Sequence, residues 1–181
     1  MGTTRDCTVS MMRANLLVLV SAGPLVAALA LAFAARWGAP SLAGGVWTLL
    51  DPMVFLLSVP AGVVAHELIH ALAWAVFARR PLRAIRFGFQ WRSIAPYAHP
   101  RDPMPVNAYR AGAAMPAVIL GLVPAAVAIA TGASLLMAWS LLFALVAGGD
   151  LVVLWLLRDV EPGSLVQDHP TRAGCRVQEP T

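Results

Sequence analysis

Residues 51–77 read DPMVFLLSVPAGVVAHELIHALAWAVF, an apolar run broken only near its centre by His66, Glu67 and His70. As a helix rising 1.5 Å per residue, a run of this length crosses about 30 Å of hydrocarbon. Its start is marked twice. Asp51 is placed as N-cap, and Pro52 sits at the first helical position, where its missing N–H costs nothing. Pro60 and Gly62 permit a kink, and Arg79, Arg80 and Pro81 mark the far end.

Working outward, three more runs have the length and composition of membrane spans. The expected set is Asn15–Ala35, Met53–Phe77, Ala111–Ala130 and Ser134–Leu157. The whole chain agrees: 59% of its 181 residues are apolar and 12% charged, against roughly 25% charged in soluble domains. That composition excludes an ordinary soluble protein, and a mean hydropathy of +0.73 excludes disorder. The first run, preceded by Arg5 and Arg13 and ending near Ala32-Phe33-Ala34, has some features of a cleaved signal. Its length exceeds the roughly 7 to 15 residues of a signal core and favours a retained helix. The expectation is an all-α membrane protein with about four transmembrane helices. Residues 1–14 form a cytoplasmic segment, 15–157 the membrane domain and 158–181 a loosely ordered cytoplasmic tail.

Every basic residue is Arg, and the positions track the spans. Arg79, Arg80, Arg83, Arg86, Arg92, Arg101 and Arg110 fall between the second and third, while Arg36 alone falls in a loop on the other side. Cytoplasmic loops retain positive charge, so both termini of a multi-pass membrane protein are placed in the cytoplasm. The net charge of +4 therefore reads as membrane-flanking charge, and a nucleic-acid partner is not expected. Cys7 and Cys175 lie in opposite terminal segments without paired spacing, and read as free thiols.

Between the second and third spans, Ile85-Arg86-Phe87-Gly88-Phe89-Gln90-Trp91-Arg92 alternates apolar with polar or small residues, the period of a strand or short hairpin with one buried face. Phe87, Phe89 and Trp91 would lie against the bilayer interface or the protein, with Arg86 and Arg92 toward headgroups or water. Pro96, Pro100, Pro103 and Pro105 then predict an irregular loop.

Ionisable groups inside apolar spans cost on the order of 3 kcal/mol and mark function. Apart from Tyr and Cys, the four spans hold only His66, Glu67, His70 and Asp150. Three of these make HELIH, an HExxH motif. Residues four apart share a helix face, so His66 and His70 can hold one metal between their imidazoles, with zinc the expected ion. Glu67, one step around, is placed as the base that takes a proton from metal-activated water, whose pKa zinc lowers from about 15.7 to about 7. At this chain's His and Glu frequencies the motif arises by chance in roughly one of 700 such chains.

A tetrahedral catalytic zinc needs one more protein ligand, and Asp150 is the leading candidate. It lies eight residues before Arg158, and His70 nine residues before Arg79, so the two sit at about 12 and 14 Å from one membrane side. Gly148 and Gly149 would let the fourth span approach the second. His99 and His169, both in predicted loops, are alternative third ligands. A His-Glu-His cluster also suits a structural hydrogen-bond network or an ion path, and Asp150 also suits a polar helix contact.

HELIH on a membrane helix, an extended segment after it and an Asp in a later helix resemble the putative zincin peptidases, bacterial membrane proteins similar in plan to site-2 proteases. The resemblance runs from about Pro60 to Arg172 and takes in Phe87-Gly88-Phe89, Pro96-Tyr97-Ala98-His99, Tyr109-Arg110, Pro116, Gly149-Asp150 and Asp168-His169-Pro170. It implies zinc on His66 and His70, Glu67 as base and Asp150 as remaining ligand. In site-2 proteases the ligand Asp is followed by Gly, whereas Asp150 comes after Gly148-Gly149 and precedes Leu151. The expected function is a zinc metalloprotease acting on a membrane protein or peptide in or beside the lipid, with the 85–92 strand holding substrate extended. A metal-binding transporter component, a non-catalytic scaffold, and a hydrolase of lipid or small amides are the alternatives.

Overall fold

The computed structural model describes residues 4–91 and 95–180. A first strand β1 (Thr4–Val9) leads into α1 (Met11–Trp37), α2 (Ala39–Leu49) and α3 (Pro52–Phe77). Next come the hairpin β2 (Ile85–Gln90) and β3 (Ala95–Pro100), then β4 (Met104–Pro105). α4 (Val106–Pro116) continues through a π-helical stretch, Ala117–Leu122, into α5 (Val123–Thr131). α6 (Ser134–Val146) runs into α7 (Gly148–Leu157), and β5 (Leu165–Asp168) and β6 (Ala173–Gln178) close the described chain.

Four helical runs are long and apolar enough to cross a membrane: Met11–Trp37, Pro52–Phe77, Val106–Thr131 and Ser134–Leu157. Only 11% of the most apolar window of the first two is buried within the protein, so their remaining apolar surface faces outward. Asp51 caps α3 as expected, its Oδ1 accepting the N–H groups of Met53 at 3.0 Å and Val54 at 3.2 Å. Helix α3 runs unbroken through Pro60. Gly62 serves a close approach: a Cβ there would overlap the Phe143 ring of α6. Gly148 likewise meets α1, where a Cβ would lie 2.7 Å from Val18 Cγ1, and Gly149 has nothing within 4 Å. The expected Gly148–Gly149 contact with the second span is therefore corrected to one glycine against the first. The stretch read as an outer loop contains helix α2, and Gly45 lets it lie directly on the backbone of Ser134.

The fold is mostly helical, and among the described residues it carries six strands in two sheets, more than the one strand or hairpin expected at 85–92. Hairpin β2–β3 pairs antiparallel with Phe87 opposite Ala98 and Arg86 opposite His99. Arg101 N–H bonds Ala84 O at 2.9 Å, and Ala98 N–H is donated elsewhere, to Glu67. Hydrogen-bonded pairs alternate in an antiparallel ladder, so 86–99 and 88–97 carry the bonds while residues 96, 98 and 100 turn their backbone groups outward. Pro96 and Pro100 thus occupy positions where a missing N–H costs the ladder nothing. This is why a segment expected to be an irregular loop is a strand. Alternation puts Phe87, Phe89 and Trp91, exposed by 48%, 43% and 83%, on one face, and Arg86, Tyr97 and His99 on the other. Arg92 lies outside the described residues.

The second sheet has the order β1-β6-β5-β4, joining the segment before the first span to the one after the last. Val166, Cys175 and Val177 are fully buried in it and share one core with Trp74, Ile85, Met104, Tyr109 and Leu157. The tail expected to be loosely ordered is therefore packed, because its alternating apolar residues meet β1, some 170 residues earlier in the chain. Arg110, expected to be a flanking charge, caps α7: its Nη2 donates to the carbonyls of Leu157, of Val160 at 2.7 Å and of Arg158 at 3.3 Å.

Candidate metal centre

The HELIH segment lies near the middle of α3, so His66 and His70 stack one turn apart with ring centroids 4.8 Å apart and planes at 80°. The helix restart at Gly148 presents Asp150 in the first turn of α7. Asp150 Oδ2 lies 3.2 Å from His66 Nε2 and Oδ1 lies 3.2 Å from His70 Nε2. The two Nε2 atoms are themselves 3.2 Å apart. All the ligating atoms of His66, His70 and Asp150 fall within 4.8 Å of one another.

This arrangement is poorly satisfied by the protein alone. His70 Nδ1 lies 3.1 Å from Gly112 O, and since a carbonyl only accepts, Nδ1 carries the proton and Nε2 presents its lone pair inward. That lone pair faces another imidazole nitrogen and a carboxylate. His66 Nδ1 and Asp150 Oδ2 are buried without a hydrogen-bond partner, although Oδ2 is near His66 Nε2. Converging lone pairs of this kind call for a shared proton or a cation, and two imidazoles with one carboxylate suit zinc.

The surrounding residues hold the imidazoles in place. Trp74, one further turn along α3, stacks on His70 at 5.0 Å and 13° and donates its indole N–H to Tyr109 O at 3.1 Å. Gly112 leaves the room: a Cβ there would overlap the Trp74 ring. Sequence reasoning missed Trp74 and Gly112. The signals for them were the continuation of the 66–70 spacing to 74 and the small residues Ala111–Ala114.

Glu67 projects from α3 toward the hairpin, its Oε2 accepting Ala98 N–H at 2.7 Å. Together with His66, His70 and Asp150 it lines a cavity of about 430 Å³. Across that cavity stands a second polar cluster. His99 Nδ1 is 2.5 Å from Asp168 Oδ2, and the Tyr109 hydroxyl donates to Asp168 Oδ1. The hydrogen bond to Asp168 raises the His99 pKa against the opposing effect of burial. His169 Nδ1 accepts the N–H groups of Thr171 at 3.2 Å and Arg172 at 3.0 Å. Its Nε2 lies 3.7 Å from Asp6. Among the described residues, then, His66, His70 and Asp150 come together as one group, and the alternatives His99 and His169 are each held by other partners.

Residues 59–165 match the family described as putative zincin peptidase, more than half of the chain. The chain belongs to that family. No curated protein and no solved structure gives a match. The family match covers α3 from Val59 onward, the hairpin and all of α4 to α7, and so contains His66, Glu67, His70 and Asp150; it ends before Asp168.

Proposed function

We propose that this member of the zincin peptidase family is a membrane-embedded zinc metalloprotease. His66, His70 and Asp150 hold the metal and Glu67 is the base. The observation that carries the reading is the convergence of His66 Nε2, His70 Nε2 and an Asp150 carboxylate on one point beside Glu67. Zinc bound there would supply Lewis acidity and a water acidic enough to ionise near neutral pH. Glu67, anchored through Oε2, keeps Oε1 free among the described residues to take the water's proton.

A membrane substrate must be extended to expose its peptide bond, and the hairpin offers an edge for that. Pro96 and Pro100 remove outward N–H groups from β3, and Glu67 takes the one at Ala98, so β3 has few donors to offer. The outer edge of β2 keeps the N–H groups of Phe87 and Phe89, which face away from β3 in the same ladder. We assign to this edge of β2 the pairing of substrate residues that flank the scissile bond, since Glu67 lies against the opposite edge of the hairpin, at β3. The Arg distribution, together with β1 and β6 pairing at one end of the bundle, supports both chain ends lying in the cytoplasm of a bacterial inner-membrane protein.

The test is zinc content and cleavage of fluorescently labelled casein by protein purified in detergent. His66→Ala and Asp150→Ala should each lose zinc, whereas Glu67→Ala should retain it and lose cleavage. Zinc retained in Asp150→Ala removes that ligand from the scheme. Cleavage undiminished in Glu67→Ala removes the protease mechanism and leaves a metal-binding scaffold or transporter component.

A further inference from the structure

The metal-binding trio and Glu67 leave one group of titratable side chains in the cavity unused: His99, Asp168 and Tyr109. These come from three elements, β3, β5 and α4, that no local signal joins. Asp168 is the hub. One carboxylate oxygen faces His99 Nδ1 at 2.5 Å and the other accepts the Tyr109 hydroxyl, so both are engaged. A carboxylate can only accept, so the imidazole keeps its proton on Nδ1 toward Asp168. Its other nitrogen, Nε2, has no partner among the described residues, on a ring that lines the cavity and is still 46% exposed. Tyr97 packs edge-on against the ring at 4.9 Å and restricts its rotation.

The strand register adds to this. Ala98 gives its N–H to Glu67, and the next residue along β3 is His99. One strand therefore anchors the proposed base and carries an imidazole that lines the same cavity. His99 also feels the negative charge of Glu67, which with Asp168 favours the imidazolium.

Resting on the protease reading, we propose that His99 is a second catalytic residue, donating a hydrogen bond through Nε2–H to the substrate carbonyl oxygen as it becomes an oxyanion. Asp168 is a positioning residue that acts through His99, and Tyr109 steadies Asp168. In the addition step the water oxygen bonds to the carbonyl carbon, its proton passes to Glu67, and the carbonyl π pair moves onto the oxygen that His99 contacts. His99 keeps its proton. The oxyanion pair then re-forms the C=O bond as the C–N bond breaks, the C–N pair goes to nitrogen, and nitrogen takes the proton carried by Glu67. A donor aimed at developing negative charge is the arrangement that contributes most in such reactions.

The experiment uses the full-length zinc-loaded protein in detergent and two probes, a phosphinic tripeptide that presents a tetrahedral oxyanion and a hydroxamate that only chelates metal. His99→Gln is expected to retain zinc and to bind the hydroxamate as the natural protein does. Phosphinate affinity and casein kcat should fall by about 100-fold, with KM changed less than about threefold. Asp168→Asn should reproduce the selective phosphinate loss, and in a ¹⁵N-histidine spectrum should abolish the downfield Nδ1 proton of His99. Loss of zinc in His99→Gln would make His99 a ligand and overturn the proposal. Equal phosphinate and hydroxamate affinities in natural and variant protein overturn it too, and leave the protease reading intact if the natural protein cleaves casein. A natural protein that binds zinc but neither probe and cleaves nothing overturns both.

Discussion

The packing behind His70 makes Gly112→Ala the sharpest perturbation of the proposed metal centre. The added Cβ would overlap Trp74 Cδ1 and Nε1, and would lie 2.9 Å from Cγ, against an ordinary separation of about 3.5–4.0 Å. The indole cannot simply swing aside. It is stacked on His70 at 5.0 Å on one side and on Tyr109 at 5.3 Å on the other, and its N–H is committed to Tyr109 O. Relief must come from α4 backing away from α3, which carries Gly112 O off His70 Nδ1, now 3.1 Å away. Losing a second-layer partner of this kind costs about 10- to 100-fold in metal affinity, or about 1.4–2.8 kcal/mol. The assay is zinc competition against a chromophoric chelator in detergent, with circular dichroism to check that the helices persist. Gly149→Ala, adjacent to Asp150 but with nothing within 4 Å, is the control and should bind zinc within about twofold of the natural protein. If Gly112→Ala binds zinc as tightly as the control, the Trp74–His70–Gly112 packing does not position the ligand.

The hairpin, the His99 pair and the terminal sheet can each be perturbed in turn. Phe87→Pro should lower casein cleavage while sparing zinc content, because it removes an outward donor of β2; Gly88→Pro should also unpair the hairpin, detected as protease sensitivity near residue 90. Equal cleavage by Phe87→Pro and the natural protein would count against substrate addition at that edge. The folded-state pKa of His99 is raised above 6.5, so the stabilisation from its pairing is full below about pH 6.5 and is lost as pH rises through the raised value. The stability gap between the natural protein and His99→Gln in SDS unfolding should therefore narrow with rising pH; a widening gap would reverse the assignment. Burial pushes the Cys175 thiol well above the usual range, and β1 covers its strand, so in a Cys7→Ser background Cys175 should resist iodoacetamide until residues 4–9 are deleted. Equal labelling with and without those residues would mean that β1 does not shield it.

The features that can be read from the sequence and those that cannot divide by range. The four spans are legible because apolar density is a local property, and Asp51 and Pro52 announce the start of α3 within two residues. His66, Glu67, His70 and Asp150 stand out because lipid leaves few other ionisable groups inside the spans. Strand β3 is hidden by a local rule that fails here: Pro96 and Pro100 argue against a strand until the register assigns both to non-bonded positions. The terminal sheet is hidden by distance, since neither 4–9 nor 173–178 can bury its apolar face alone. The cavity suffers the same blindness. His99, Tyr109 and Asp168 are inconspicuous in three separate stretches, and only the fold sets them around one carboxylate.

The sheet built from the segments on either side of the membrane bundle bears on the order in which this protein matures. Asp168 and residues 169–174 form part of the cavity wall, and β6 is held by β1 from before the first span. A chain still being inserted has HELIH in the bilayer as soon as α3 is in place, yet lacks α7 and the strands that finish the enclosure. For the proposed protease, hydrolytic capacity therefore cannot precede insertion of the last span and docking of β5 and β6 behind it. On that reading the inserting membrane is spared a half-built peptidase, and any fusion that pulls β1 or β6 out of register would leave the proposed metal ligands intact but the chamber open.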